Sequence, residues 1–122
     1  MGDLGFAAQL AEDLSAEDLR LVLTVFRTDV QRLSGALGEA ARAADPAGFR
    51  RAAHGLAGAA GAVGAGLLEQ ACRRVMAQGG LAPDARMEEM LAEIEAVARD
   101  ALGDLDAFLA RHAALPPRGA AP

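Results

Sequence analysis

The chain has 122 residues, which is enough for one domain with a hydrophobic core and too short for two. Hydrophobic residues make up 52% of it, much of this alanine, and Trp and Tyr are absent, a composition that favours packed helices over sheets. The formal net charge is -5, and all twelve basic residues are arginine. Nucleic acid is therefore not expected as the main partner, because no basic stripe is present to displace counterions.

The single cysteine, Cys72, excludes an internal disulfide and a cysteine-rich zinc site. No charged start followed by an apolar run resembles a signal peptide, and no apolar stretch is long enough to cross a bilayer. We therefore expect a cytoplasmic protein that does not bind membranes.

Apolar residues recur at helical spacing along most of the chain and predict a short helix followed by four longer ones. Ser15, followed by acidic residues, is a good N-cap for the second helix. Asp45 and Pro46 end that helix and start the third as its N-cap and first residue. The predicted spans are 3–13, 15–44, 46–63 and 67–78, with a last helix that starts around 82–84.

This pattern predicts an all-α fold, an antiparallel up-down four-helix bundle capped by the short first helix. The bundle domain is expected over residues 1–114, followed by a disordered Pro/Ala-rich tail over 115–122. The apolar residues expected in the core are Leu19, Val22, Leu23, Phe26, Val30, Leu33 and Leu37, then Phe49, Ala53, Leu56, Ala60 and Val63, then Leu68, Ala71, Cys72 and Val75, and finally Met87, Leu91, Ile94, Ala98, Ala101, Leu105 and Phe108.

The third predicted helix carries His54 among residues with almost no side chains. Each glycine inside a helix costs about 0.8–1 kcal/mol relative to alanine, so a reason for several of them is expected. At about 100° per residue, His54 lies about 140° from the apolar face, with Gly58 and Gly61 beside it and Arg50 and Arg51 one turn before. We interpret the small residues as leaving the ring accessible to something large, rather than as serving close helix packing.

An isolated surface histidine without a function is the simplest alternative. A catalytic histidine needs an orienting carboxylate or a nucleophile nearby, and none lies one turn from His54 on its own helix. A metal site would need more ligands than His54, Cys72 and the distant His112 provide. The remaining hypothesis is an exposed imidazole that acts as a nucleophile toward a group brought by another protein.

The sequence around His54 resembles that of histidine-containing phosphotransfer (HPt) domains, whose signature is roughly Ala-His-x-Leu-Lys-Gly followed by a stretch of small residues. The matching stretch is Ala53-His54-Gly55-Leu56-Ala57-Gly58, followed by Ala60-Gly61-Ala62-Val63-Gly64-Ala65, and the resemblance covers about residues 15–113. It implies a phosphoryl carrier rather than an enzyme, in which His54 accepts the group from one receiver-domain aspartate and passes it to another.

The resemblance further implies that the domain has no cofactor or ATP site of its own, since the partner receiver domain supplies Mg²⁺. The partners it implies are response-regulator receiver domains and a hybrid histidine kinase, and we expect the domain to be a monomer. Gly58 would keep space beside the phosphorylated ring. Exposed apolar residues near His54, from the first two helices, would form the docking surface.

The chain departs from the family pattern at Ala57, where the family has a lysine that leans toward the phosphorylated ring. Arg50 and Arg51 replace that charge imperfectly, and Arg73 or Arg74 on the next helix are further candidates. Met76 stands at a position that is often acidic. Three hypotheses therefore remain: a phosphorelay carrier, a pseudo-HPt module that docks receivers or kinases without chemistry, and the dimerisation bundle of a histidine kinase.

Overall fold

The computed structural model describes residues 6–77 and 84–113. This part of the chain is helical, with short connections and no strand, so the predicted all-α fold is confirmed. The predicted helix ends at residues 3–5, 78 and 82–83, and the tail over 115–122, lie outside the described residues. The helices are α1 (Phe6–Asp13), α2 (Ala16–Arg42), α3 (Pro46–Val63), α4 (Gly66–Ala77) and α5 (Asp84–Ala113).

Two predicted caps define where α2 and α3 begin. The Ser15 hydroxyl accepts a hydrogen bond from the backbone N–H of Asp18 at 3.1 Å. The Asp45 carboxylate accepts one from the N–H of Gly48 at 3.1 Å, and Pro46 follows as the first helical residue. Both caps are confirmed, because each satisfies a backbone N–H that the first helical turn leaves without a partner.

The turn between α2 and α3 differs from the prediction. Helix α2 ends at Arg42, not at Ala44, and Ala44 adopts a left-handed conformation with φ of 51°. This conformation lets the N–H of Asp45 donate to the carbonyl of Ala40 at 2.9 Å, which closes the end of α2. At this φ the Cβ of Ala44 lies too close to the following carbonyl oxygen, so the backbone of Ala44 is locally strained.

Replacing Ala44 with glycine is expected to stabilise the fold by about 0.5–1 kcal/mol. Glycine adopts the left-handed conformation without the Cβ clash, and this gain exceeds the extra entropy that it loses on folding. The control is Ala43→Gly, since Ala43 has an ordinary φ of -86° and gains no relief. Urea unfolding measures both variants, and an Ala44→Gly protein no more stable than the Ala43→Gly protein would contradict the strain argument.

The four long helices contact one another in a ring, with α3 and α5 each packed against both α2 and α4. A Cβ added to Gly55 would lie 3.2 Å from the Leu33 side chain, which places the later part of α2 beside the middle of α3. An ion pair between Arg27 of α2 and Asp106 of α5 joins the two helices on the other side. Helix α1 packs on α2, where the rings of Phe6 and Phe26 meet edge to face with centroids 5.4 Å apart.

The predicted core is buried almost in full. Every predicted core residue of α3 and α4 is buried. The predicted core residues of α2 and α5 are also buried, apart from three that are half-buried. The three exceptions are Val22, Leu33 and Leu91.

Cys72 lies in this core with no exposed surface. Burial raises the pKa of its thiol from 9.0 to about 12, against the opposing effect of the positive charge of Arg74. The thiol is therefore expected to stay protonated and unreactive in the folded protein.

The raised pKa of Cys72 predicts that the protein loses stability in alkali. Above about pH 9 the unfolded chain releases the thiol proton, while the folded chain keeps it up to about pH 12. The unfolded state then binds fewer protons, so the free energy of unfolding should fall by about 1.4 kcal/mol per pH unit in this window. The chain contains no lysine or tyrosine, the other side chains that would titrate between pH 9 and pH 12.

Urea unfolding between pH 8 and pH 11 measures this slope, and Cys72→Ala is the control. The alanine variant should be less stable at pH 8, because the core loses the sulfur, but its stability should not decline above pH 9, so the difference between the two proteins should shrink as the pH rises. Equal slopes in the two proteins would contradict the thiol as the source.

Candidate functional site

His54 lies in the middle of α3 and is exposed, as the helical wheel predicts. The neighbours Ala53 and Leu56 have no exposed surface and fix the inward face of this turn. The imidazole therefore faces away from the core, because a helix that buries positions 53 and 56 directs position 54 outward.

The three glycines around His54 have three different surroundings. A Cβ on Gly55 would lie 3.2 Å from Leu33 of α2, and one on Gly61 would lie 3.1 Å from the carboxylate of Glu69 on α4. A Cβ on Gly58 would meet nothing within 4 Å. The interpretation of the glycines as clearance for a partner needs correction at Gly55, which allows close packing against Leu33 of α2. Gly61 is exposed and faces only the carboxylate end of the flexible Glu69 side chain, and Gly58 alone of the three has open space above it.

Ala57 is buried, with 2% of its surface exposed. At about 100° per residue Ala57 lies about 60° from His54 on the side toward the apolar face, and this flank of α3 is buried in the bundle. A lysine at position 57 would therefore start from a covered Cβ. The loss of the family lysine leaves a small buried residue, not an exposed gap.

The arginines considered as substitutes for that lysine are engaged elsewhere, with one exception. Arg50 donates to the carbonyl of Met76 at the end of α4, at 3.5 Å. Arg73 donates from Nε and Nη2 to Glu69 at 2.9 and 2.6 Å, and Arg74 pairs with a carboxylate of α5. Arg51 is exposed and makes no hydrogen bond or ion pair within the described ranges 6–77 and 84–113.

An apolar groove of about 450 Å³ runs between α2 and α3, starting one and a half turns beyond His54. Leu21 and Val25 of α2 are 64% and 50% exposed, an unusual state for large apolar side chains that are adjacent on one face. The residues that line the groove are Leu21, Val22, Val25, Phe26, Asp29, Ala59, Ala62 and Val63.

Exposed apolar residues were expected on the first two helices without being named, and Leu21 and Val25 lie on the second of them, α2. The other wall of the groove belongs to α3 and not to α1. The spacing of Leu21 and Val25, four residues apart and beside the core stripe of α2, is the signal that could have identified them.

Among the described residues, no group of three or more His, Cys, Asp or Glu side chains is arranged to hold a metal ion. Cys72 is in the core, and the side chain of His112 lies outside the described part. No helix in that part is both long enough and apolar enough to cross a bilayer.

Comparison with known families identifies the chain. The family model for the Hpt domain matches residues 21–109, from the second turn of α2 to the last part of α5. The chain belongs to the Hpt domain family. No curated protein and no solved structure is significantly similar to it.

The matched range of this Hpt domain includes α3, α4 and all of α2 from Leu21 on, which form the candidate site, and α1 lies outside it. Membership makes the chain a histidine-containing module of the phosphotransfer type. Hpt domains are phosphoryl carriers that interact with receiver domains and kinases in phosphorelays.

Proposed function

We propose that this Hpt domain relays a phosphoryl group between receiver-domain aspartates, with His54 as the acceptor. The observation that supports it best is the position of His54: exposed on α3, with open space above Gly58 and an apolar groove that starts one and a half turns further along the helix. Gly58 lies four residues after His54 and so on the same side of the helix, where a larger side chain would obstruct the approach to the ring.

The chemistry needs little from the carrier beyond an accessible imidazole. The lone pair of the unprotonated ring nitrogen attacks phosphorus, the N–P bond forms, and the P–O bond to the aspartate breaks. The electron pair of that bond returns to the aspartate as a carboxylate. In this scheme the receiver supplies the Mg²⁺ and the groups that stabilise the transition state, and the carrier holds neither ATP nor a metal.

The apolar groove serves in this proposal as the docking surface for the receiver. Burial of Leu21 and Val25 in a complex would contribute the apolar contact that holds the two proteins together. The groove begins on the C-terminal side of His54, so a receiver seated there reaches the ring across Gly58.

The second candidate function is a pseudo-HPt module that docks receivers or kinases through the same groove without accepting phosphate. The buried Ala57, in place of the family lysine, favours it, because the phosphorylated ring then lacks the cation that the family provides.

Incubation with a panel of phosphorylated receivers separates the two candidates. A carrier acquires acid-labile, base-stable label, the signature of a phosphohistidine, and returns it to unphosphorylated receivers. A docking module binds receivers and acquires no label. Binding without label across the whole panel would overturn the relay proposal in favour of the second candidate.

A further inference from the structure

We infer that Arg51 provides the positive charge that stabilises the phosphoryl group on His54, an inference that rests on the proposed phosphotransfer function. A phosphorylated imidazole carries about two negative charges at neutral pH, and such a group is stabilised by a guanidinium that can bind two of its oxygens. The question is which cation of this chain is available to it.

Position favours Arg51. Residues three apart on a helix are neighbours, with Cβ atoms about 5–6 Å apart. Helical side chains also lean toward the N-terminus, so the ring of His54 extends over the turn that carries Arg51. The Arg51 side chain leans the same way, toward Asp45 and Gly48, with which it lines a groove. Because the side chain is long, it reaches a phosphoryl group on the outer ring nitrogen by turning back over the adjacent turn.

The contacts of the other arginines near the site favour the same residue. Arg50 contacts the carbonyl of Met76, and Arg73 is held by Glu69 through two donors. A switch of Arg50 or Arg73 to the phosphoryl group would break an existing contact. Arg51 has no such contact to break in the part of the chain that the structure describes.

The surroundings of Arg51 allow this movement. It lines an open groove between the end of α2 and the start of α3, whose other charged residues are Glu39 and Asp45. The Asp45 carboxylate accepts a hydrogen bond from the N–H of Gly48 as the cap of α3, and neither acid forms an ion pair with Arg51. A phosphoryl dianion on the adjacent turn is a stronger attractor for the guanidinium than these solvated carboxylates.

Phosphoramidate tests the inference without a receiver. The ring nitrogen attacks its phosphorus, the P–N bond of the reagent breaks and ammonia leaves, so His54 is loaded chemically. The half-life of the phosphohistidine at neutral pH is then followed by ³¹P NMR. We expect Arg51→Ala to shorten it about three- to tenfold, Arg51→Lys to restore part of the loss, and high salt to reduce the difference.

Arg99→Ala removes an equal charge from an exposed position on α5 and should leave the half-life within about twofold of the original. An unchanged half-life in Arg51→Ala would overturn the inference, as would a larger effect of Arg50→Ala. Absence of phosphoramidate label at His54 would overturn both this inference and the relay proposal. If the label forms and depends on Arg51, but no receiver exchanges it, the relay proposal alone fails.

Discussion

Replacement of His54 with glutamine should abolish the transfer of label from phosphorylated receivers to this domain while the domain still binds those receivers. Glutamine keeps a polar side chain of similar size but has no ring nitrogen with a nucleophilic lone pair. His54 is exposed, so the change in folding stability should stay within about 0.5 kcal/mol. Autoradiography after incubation measures the label, and calorimetric titration measures the binding.

The matched control is His112→Gln, which removes the other histidine of the chain and should leave the labelling unchanged. Acid-labile label that persists in His54→Gln and disappears in His112→Gln would show that His112, not His54, is the acceptor. Loss of both label and binding in a folded His54→Gln protein would instead show that the imidazole is part of the docking contact.

Replacement of Val25 with aspartate should reduce kcat/KM for transfer from a receiver by roughly 30-fold or more, equivalent to about 2 kcal/mol of docking free energy. Val25 is half-exposed in the free domain, so the fold loses little. A complex that covers the groove would have to bury an unpaired carboxylate in place of an apolar side chain. Because docking is weakened and the chemistry is not, the loss should fall mainly on KM.

Ala96→Asp introduces the same charge at an exposed site on α5 and serves as the control. Helix α5 packs on α2 and α4, away from the groove between α2 and α3, so this variant should transfer at the original rate. Phosphoramidate labelling of His54 should be equal in both variants. Equal kcat/KM values for Val25→Asp and the original domain would remove the groove from the docking surface.

The sequence predicted those features that depend on short stretches of chain. Ser15 and Asp45 cap helices because their side chains bond to an N–H three residues on, and this requires no other part of the fold. The buried face of α3 follows from apolar spacing along one helix. The outward direction of His54 follows from the same spacing, since it is set by the face opposite the core.

What depends on two helices could not be read from one. The helical angle places Gly61 and Ala57 on the same side of His54, but it could not show that Ala57 is buried while Gly61 stays exposed. The angle of a residue is fixed by its own helix, whereas its exposure is fixed by the neighbour's crossing angle and distance.

By itself, then, the sequence determined the helices, their caps, the core and the outward-facing histidine, because each follows from backbone hydrogen bonding and hydrophobic periodicity within one segment. Only the tertiary structure decided which of the three glycines around His54 has open space, where the apolar groove lies, and which of the arginines near the site has no partner among the described residues. The groove at Val25 is formed by side chains of α2 and α3, and Arg50 differs from Arg51 by its contact with the end of α4. Those contacts join residues far apart in the chain, so no local pattern records them.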